Sequence, residues 1–158
     1  MRNLNITKMK KVFYTVLLVT GLSVSTFAAD DYRSSKEAKA SSVAKAQFSD
    51  LYTGATNVNW VVTDKFQKAF FTLDGVDMTA FYDLDGNHVA TTQVGKTNQL
   101  SELALARIAK AYKGYEINKV IQYNSENTVY FVDLKKGEKE VLVRVMPDNY
   151  VYFFKQLK

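Results

Sequence analysis

The chain has 158 residues, 47% of them hydrophobic and 23% charged, with one proline and no cysteine. That composition suits one globular domain or two small repeats and excludes a collagen, a coiled coil and a disordered chain, while the missing thiol excludes a disulfide scaffold, a cysteine nucleophile and zinc–cysteine sites. The formal charge of +5 falls to +1 once Arg2, Lys8, Lys10 and Lys11 are set aside, so the basic balance belongs to the N-terminal segment and no nucleic-acid-binding surface is expected.

Those four cations sit in a basic stretch ending at Lys11, and an apolar run of 13 residues, Val12 to Val24, follows. Ser25-Thr-Phe-Ala28 offers small residues for cleavage after Ala28, with Thr26 at the minus-three position. This is the layout of a secretory signal peptide over residues 1–28. The apolar run falls short of the roughly 20 residues of a membrane span, and without cysteine there is no lipoprotein anchor. A periplasmic or secreted chain with no stable membrane insertion is expected, its folded part covering 29–158.

Ser34-Ser-Lys-Glu37 reads as a capping box, and Ala40, Val43, Ala44, Phe48 and Leu51 recur at helical spacing, which predicts a helix over 35–52 closed by Gly54. Strands are predicted over 58–62, 66–73, 76–82 and 88–92, with turns at Asp64-Lys65, Asp74-Gly75 and Asp85-Gly86. Asp-Gly between alternating runs signals a tight hairpin in which both central residues take positive φ. Ser101 opens a second helix, carrying Leu105, Ile108, Ala111 and Tyr112 on one face and closing at Gly114. Strands over 116–123, 128–134, 139–146 and 149–156 follow. The expected fold is therefore α+β: two tandem α-β-β-β-β repeats, about 34–95 and 98–158, forming one antiparallel sheet of eight strands with the helices on one face.

A shift of 63 residues lays Ala69 on Val132, Phe71 on Leu134, Met78 on Val141, Ala80 on Val143, Tyr82 on Val145 and Val89 on Tyr152. Side chains alternate along a strand, so these residues define one apolar face that packs under the helices; Trp60, opposite Ala69, belongs to the same side. The other face carries Phe66, Lys68, Phe70, Thr79, Phe81 and His88 from the first repeat, and Val129, Phe131, Asp133, Leu142, Arg144, Val151 and Phe153 from the second. Rings interleaved with cations, expected to stand exposed, have the composition of an interface. Phe66, Lys68, Phe70, Phe81, His88, Phe131, Leu142, Arg144 and Phe153 are the candidate binding residues.

Catalytic chemistry finds little support. A serine-type triad would have to use His88, the one histidine, as its base. Asp83-Leu-Asp-Gly-Asn87 resembles a calcium loop, but counting from Asp83 places His88 and Val94 where an EF-hand needs glycine and an acid. No phosphate-cradling or dinucleotide motif is present, so no cofactor and no metal are expected.

Asn57-Val-Asn-Trp60, Lys68-Ala-Phe-Phe-Thr-Leu-Asp-Gly75 and Ala80-Phe-Tyr-Asp-Leu-Asp-Gly86 resemble the first half of the PepSY-like periplasmic proteins of Bacteroidetes, which are similar in architecture to beta-lactamase-inhibitory protein. Tyr112-Lys-Gly-Tyr-Glu-Ile117 and Val129-Tyr-Phe-Val-Asp-Leu134 continue the resemblance, which covers nearly the whole chain after the leader; it departs at Met146-Pro-Asp-Asn149, where Asp-x-Asp-Gly is usual. The resemblance implies a non-catalytic exported module that binds an envelope or secreted protein through its sheet, as an inhibitor of an enzyme such as a peptidase does. The alternative is a structural or sensory module that self-associates or binds a small apolar ligand.

Overall fold

Residues 39–158 are described by the computed structural model; the leader and the Ser34–Glu37 capping box lie outside them. The order is α1 (Ser42–Leu51), β1 (Thr56–Val62), β2 (Gln67–Leu73), β3 (Val76–Tyr82), β4 (His88–Gly95), a 3₁₀ turn (Thr97–Gln99), α2 (Glu102–Ala111), β5 (Glu116–Asn124), β6 (Thr128–Lys136), β7 (Lys139–Val145) and β8 (Val151–Gln156). All eight strands form one antiparallel sheet in sequence order, β1 to β8. The expected α+β architecture with two repeats is what the chain adopts. None of the helices described is long and apolar enough to cross a membrane.

The two helices start and stop on matching chemistry. Ser41 Oγ accepts from Ala44 N at 3.1 Å, and Ser101 Oγ accepts from Ala104 N at 3.0 Å; each hydroxyl satisfies one of the backbone donors left open by a helix N-terminus. Tyr52 and Tyr112 close the last turns by donating to Phe48 O and Ile108 O. Gly54 and Gly114 then reverse the chain at φ +87° and +81°. A helix beginning at residue 35 is corrected: Lys39 to Ser41 are not helical, and Ser41 is the cap. Its choice is made from outside the helix. Gln67, buried at the start of β2, accepts from Ser41 N at 2.7 Å and donates to Asp83 O at 2.9 Å, tying the cap to the β3–β4 turn.

Matching these caps requires a shift of 60 residues, whereas Ala69 and Val132 match at 63. The paired registers Trp60↔Ala69 and Val120↔Val132 place the difference in the β5–β6 hairpin, longer than β1–β2 by three residues.

The helix-facing side is apolar as expected. Ala44 and Phe48 of α1 pack on Ala69, Phe71, Ala80 and Tyr82, with Trp60 alongside; Leu100, Ala104 and Ile108 pack on Val120, Val132, Leu134, Val141, Val143 and Val145. Phe48 meets the Phe71 ring edge-on at 4.9 Å and the Trp60 ring at 5.6 Å, the tilted contact that aromatic quadrupoles favour.

Candidate binding face

Cross-strand register builds the opposite face as rows. Val61, Lys68, Phe81 and Ala90 form one; Asn59, Phe70, Thr79, Thr92, Tyr123 and Val129 a second; Ile121, Phe131, Arg144 and Tyr152 a third; Lys119, Asp133, Leu142 and Lys155 a fourth. Rings from neighbouring rows meet edge to face: Phe66–Phe81 and Tyr123–Phe131 at 6.2 Å each, and Phe131–Phe154 at 5.1 Å. The Lys68 ammonium lies 5.0 Å over the Phe70 ring and 5.7 Å over Phe66. Burial holds its pKa below the ordinary lysine value.

The expectation of exposure is corrected for most of this face. Phe66 is 4% exposed, Lys68 3%, Phe81 2%, and Phe131 and Leu142 are fully buried. The buried residues of α1 and α2 all face the other side, so neither helix supplies this cover. Side chains this closed to solvent are interior ones: alternation and register set which side of the sheet they share, but not how far that side is open to solvent. Phe70, Arg144 and Phe154 are half-buried, and Tyr152 is exposed. Asp133 is buried in the same layer, its Oδ2 accepting from Asn118 Nδ2 at 2.6 Å; burial pushes its carboxyl upward, with Glu140 adding to the shift and Asn118 and Lys119 opposing it.

Two predicted residues leave the face. Phe153 pairs with Val143 and Val151 with Val145, which puts both on the helix side; Tyr152 and Phe154 take their places. The cause is the register of the turn, which a bulge shifts only beyond Phe153. Met146 N donates to Tyr150 O and Asn149 adopts φ +65°, so the turn pairs 146 with 150, and the extra residue enters at Phe154, between Leu142↔Lys155 and Val143↔Phe153. In the first repeat the extra residue enters earlier, at Val89, between Tyr82↔His88 and Phe81↔Ala90. A bulge changes which face each following residue presents. Ile121 and Tyr123 also belong to the face; the alternation of β5 carried that signal.

His88 is likewise on the helix side. Its Nε2 lies 3.0 Å from Tyr52 Oη and 2.9 Å from Thr91 Oγ1, those two hydroxyls bond each other, and its backbone N donates to Gln47 Oε1 at 2.9 Å. Its ring stands 5.4 Å from that of Tyr82 and 6.1 Å from that of Tyr52. This is a fastening between α1 and β4. Burial lowers the His88 pKa from 6.5, with the Ala90 backbone opposing. The unfolded chain therefore takes up the proton first on acidification, and stability should fall as pH drops from about 7 towards 5. Denaturant unfolding measured across that range should give a slope of up to one proton that His88→Gln removes; an unchanged slope would refute the assignment.

Beside the C-terminal end of α1, Lys45, Phe48, Tyr52, Ala55, Val58 and Trp60 line a shallow open cleft of about 500 Å³. No cluster of three or more metal-ligating side chains occurs among the described residues.

By sequence, the chain matches no protein-family description and no curated protein. By structure it is similar to a DUF2874 family protein from Bacteroides uniformis (TM-score 0.68, 14% identity, 75% of this chain and 91% of that one). It is also similar to a BLIP-like protein from Bacteroides fragilis (TM-score 0.65, 19% identity, 75% and 87%). A candidate periplasmic protein from Bacteroides eggerthii shares the fold as well (TM-score 0.65, 12% identity, 75% and 88%). The chain thus has the BLIP-like architecture, a likeness of fold.

Proposed function

We propose that the chain is an exported, non-catalytic binding module of PepSY-like type that engages another envelope or secreted protein through the face of its sheet turned away from α1 and α2. The observation that carries this reading is the chemistry of that face, in which half-buried Phe70, Arg144 and Phe154 and exposed Tyr152 stand over buried rings and aliphatics, on the side away from α1 and α2. The BLIP-like neighbour supports it as an analogy of architecture. The packed rings of Phe81 and Phe131 form a rigid floor, and the half-buried Phe70, Arg144 and Phe154 together with Tyr152 are the side chains a partner touches. Aromatic and arginine side chains on a preorganised support are the usual carriers of binding energy. Inhibition of an envelope enzyme such as a peptidase fits this arrangement.

Protein recovered from the envelope after export, immobilised and exposed to envelope extract, should enrich one protein. Phe70→Ser combined with Arg144→Glu should weaken that capture by about a hundredfold while leaving the unfolding midpoint nearly unchanged. Equal capture by both forms would defeat the reading.

A further inference from the structure

The outer strand β8 is unlike the other outer strand. β1 carries polar Thr56, Asn57 and Asn59 along its exposed half, and its pairing is broken between Thr56 and Asn59, where Asn57 turns to φ +54°. These are the devices that blunt a sheet edge against further pairing. β8 and its turn instead carry three of the most exposed rings described: Phe153 at 60%, Tyr150 at 53% and Tyr152 at 47%.

Cations accompany those rings. The Arg107 guanidinium, from α2, stacks 4.0 Å over Tyr150 while its Nη1 donates to Asp148 O at 3.4 Å. The Tyr150 and Tyr152 rings are 6.4 Å apart, and the Arg144 guanidinium is 6.0 Å over Tyr152. Lys155 is exposed further along the strand. The neighbouring acid, Asp148, is engaged by the Tyr150 backbone N at 3.0 Å.

We propose that the β8 edge is a second binding site, which takes an extended acidic segment of a partner polypeptide as a ninth strand. Three features select that occupant. Tyr152 lies on one face of the sheet and Phe153 on the other, so a globular surface lying on either face covers only one of them, whereas an added strand, with side chains alternating about the sheet plane, meets both. Met146 N donates to Tyr150 O, and the antiparallel alternation that starts from this pair turns the backbone N–H and C=O of Val151 and Phe153 outward. Arg107 beside the turn and exposed Lys155 on the strand favour an acidic partner and oppose pairing with a second copy, which would bring like charges together. The site borders the face proposed above and shares Tyr152 with it, whereas Phe153 and Arg107 lie outside that face, so variants there test the edge without touching Phe70.

The test is selection of a displayed library of random dodecapeptides on the full chain. Enriched sequences should be acidic and β-branched, and a synthetic peptide of the enriched sequence should slow amide exchange at Val151 and Phe153. Its affinity should fall about tenfold with Phe153→Ser and again with Arg107→Glu, and should weaken as salt is raised. Far-ultraviolet circular dichroism of each variant establishes that it is folded. Enrichment of basic sequences, failure to enrich any sequence, affinity indifferent to both substitutions, or concentration-dependent dimerisation through β8 would each overturn the proposal.

Discussion

Leu134→Ala should lower the stability of the folded chain by about 2–5 kcal/mol, seen as a lower urea midpoint at nearly unchanged slope. Leu134 is fully buried in the centre of the second half-core, among Val120, Val132, Val141 and Val143 and beneath Ile108. Strands on both sides hold its neighbours in hydrogen-bonded register, so the space vacated cannot close by a side-chain shift, and the cost combines lost burial with a cavity. Leu134→Met, which keeps the volume, should cost less than about 1.5 kcal/mol. If the two variants proved equally mild, the β6 side chain would not be the keystone that its burial indicates.

The second large effect is expected at Gly86. Its φ is +92°, a conformation that costs an L-residue about 1–2 kcal/mol, and a Cβ there would come within 2.7 Å of Ser41 Oγ, 2.8 Å of Ala44 N and 2.9 Å of Val43 Cβ. The β3–β4 turn thus presses on the N-terminus of α1 so closely that a methyl group must push the capping hydroxyl away from Ala44 N. Adding the loss of that cap gives about 2–4 kcal/mol for Gly86→Ala. Gly75, at φ +77° with nothing within 4 Å, provides the control: Gly75→Ala pays for conformation alone. A thermal or urea comparison of the two variants isolates the helix contact, and equal losses would show that the contact carries no energy.

Much of the fold was legible because its signals are local. Asp74-Gly75 forms the tight turn expected of it, with φ +52° and +77°, and Ser101 caps α2 as its position before an apolar period suggested. At Asp85-Gly86 only Gly86 takes positive φ, since Asp83 N donates to Asn87 O and the loop holds three residues. The misplaced features depend on distant partners. Ser41 caps the start of α1, and Gln67 bonds its backbone from 26 residues away, a partner that no local pattern announces. The faces of Val151 and Phe153 follow from a turn that sets Met146 opposite Tyr150, and His88 is drawn to the helix side by Tyr52 and Thr91. The candidate face was legible as a chemical pattern, but alternation states which residues share a side and is silent about how tightly they pack.

The two clusters beneath the helices are separate, and on that side the halves meet at the β4–β5 seam through polar contacts: Gln93 Nε2 and Gln99 Nε2 both donate to Gln122 Oε1, at 3.0 and 3.2 Å. Across the seam, apolar continuity runs along the reverse of the sheet, where Ala90 beside Phe81 leads to Ile121, Tyr123 and Phe131. Whatever grips that surface therefore also bridges the seam between the two repeats. Loosening of one half against the other and release of a bound protein would then share a single energetic origin.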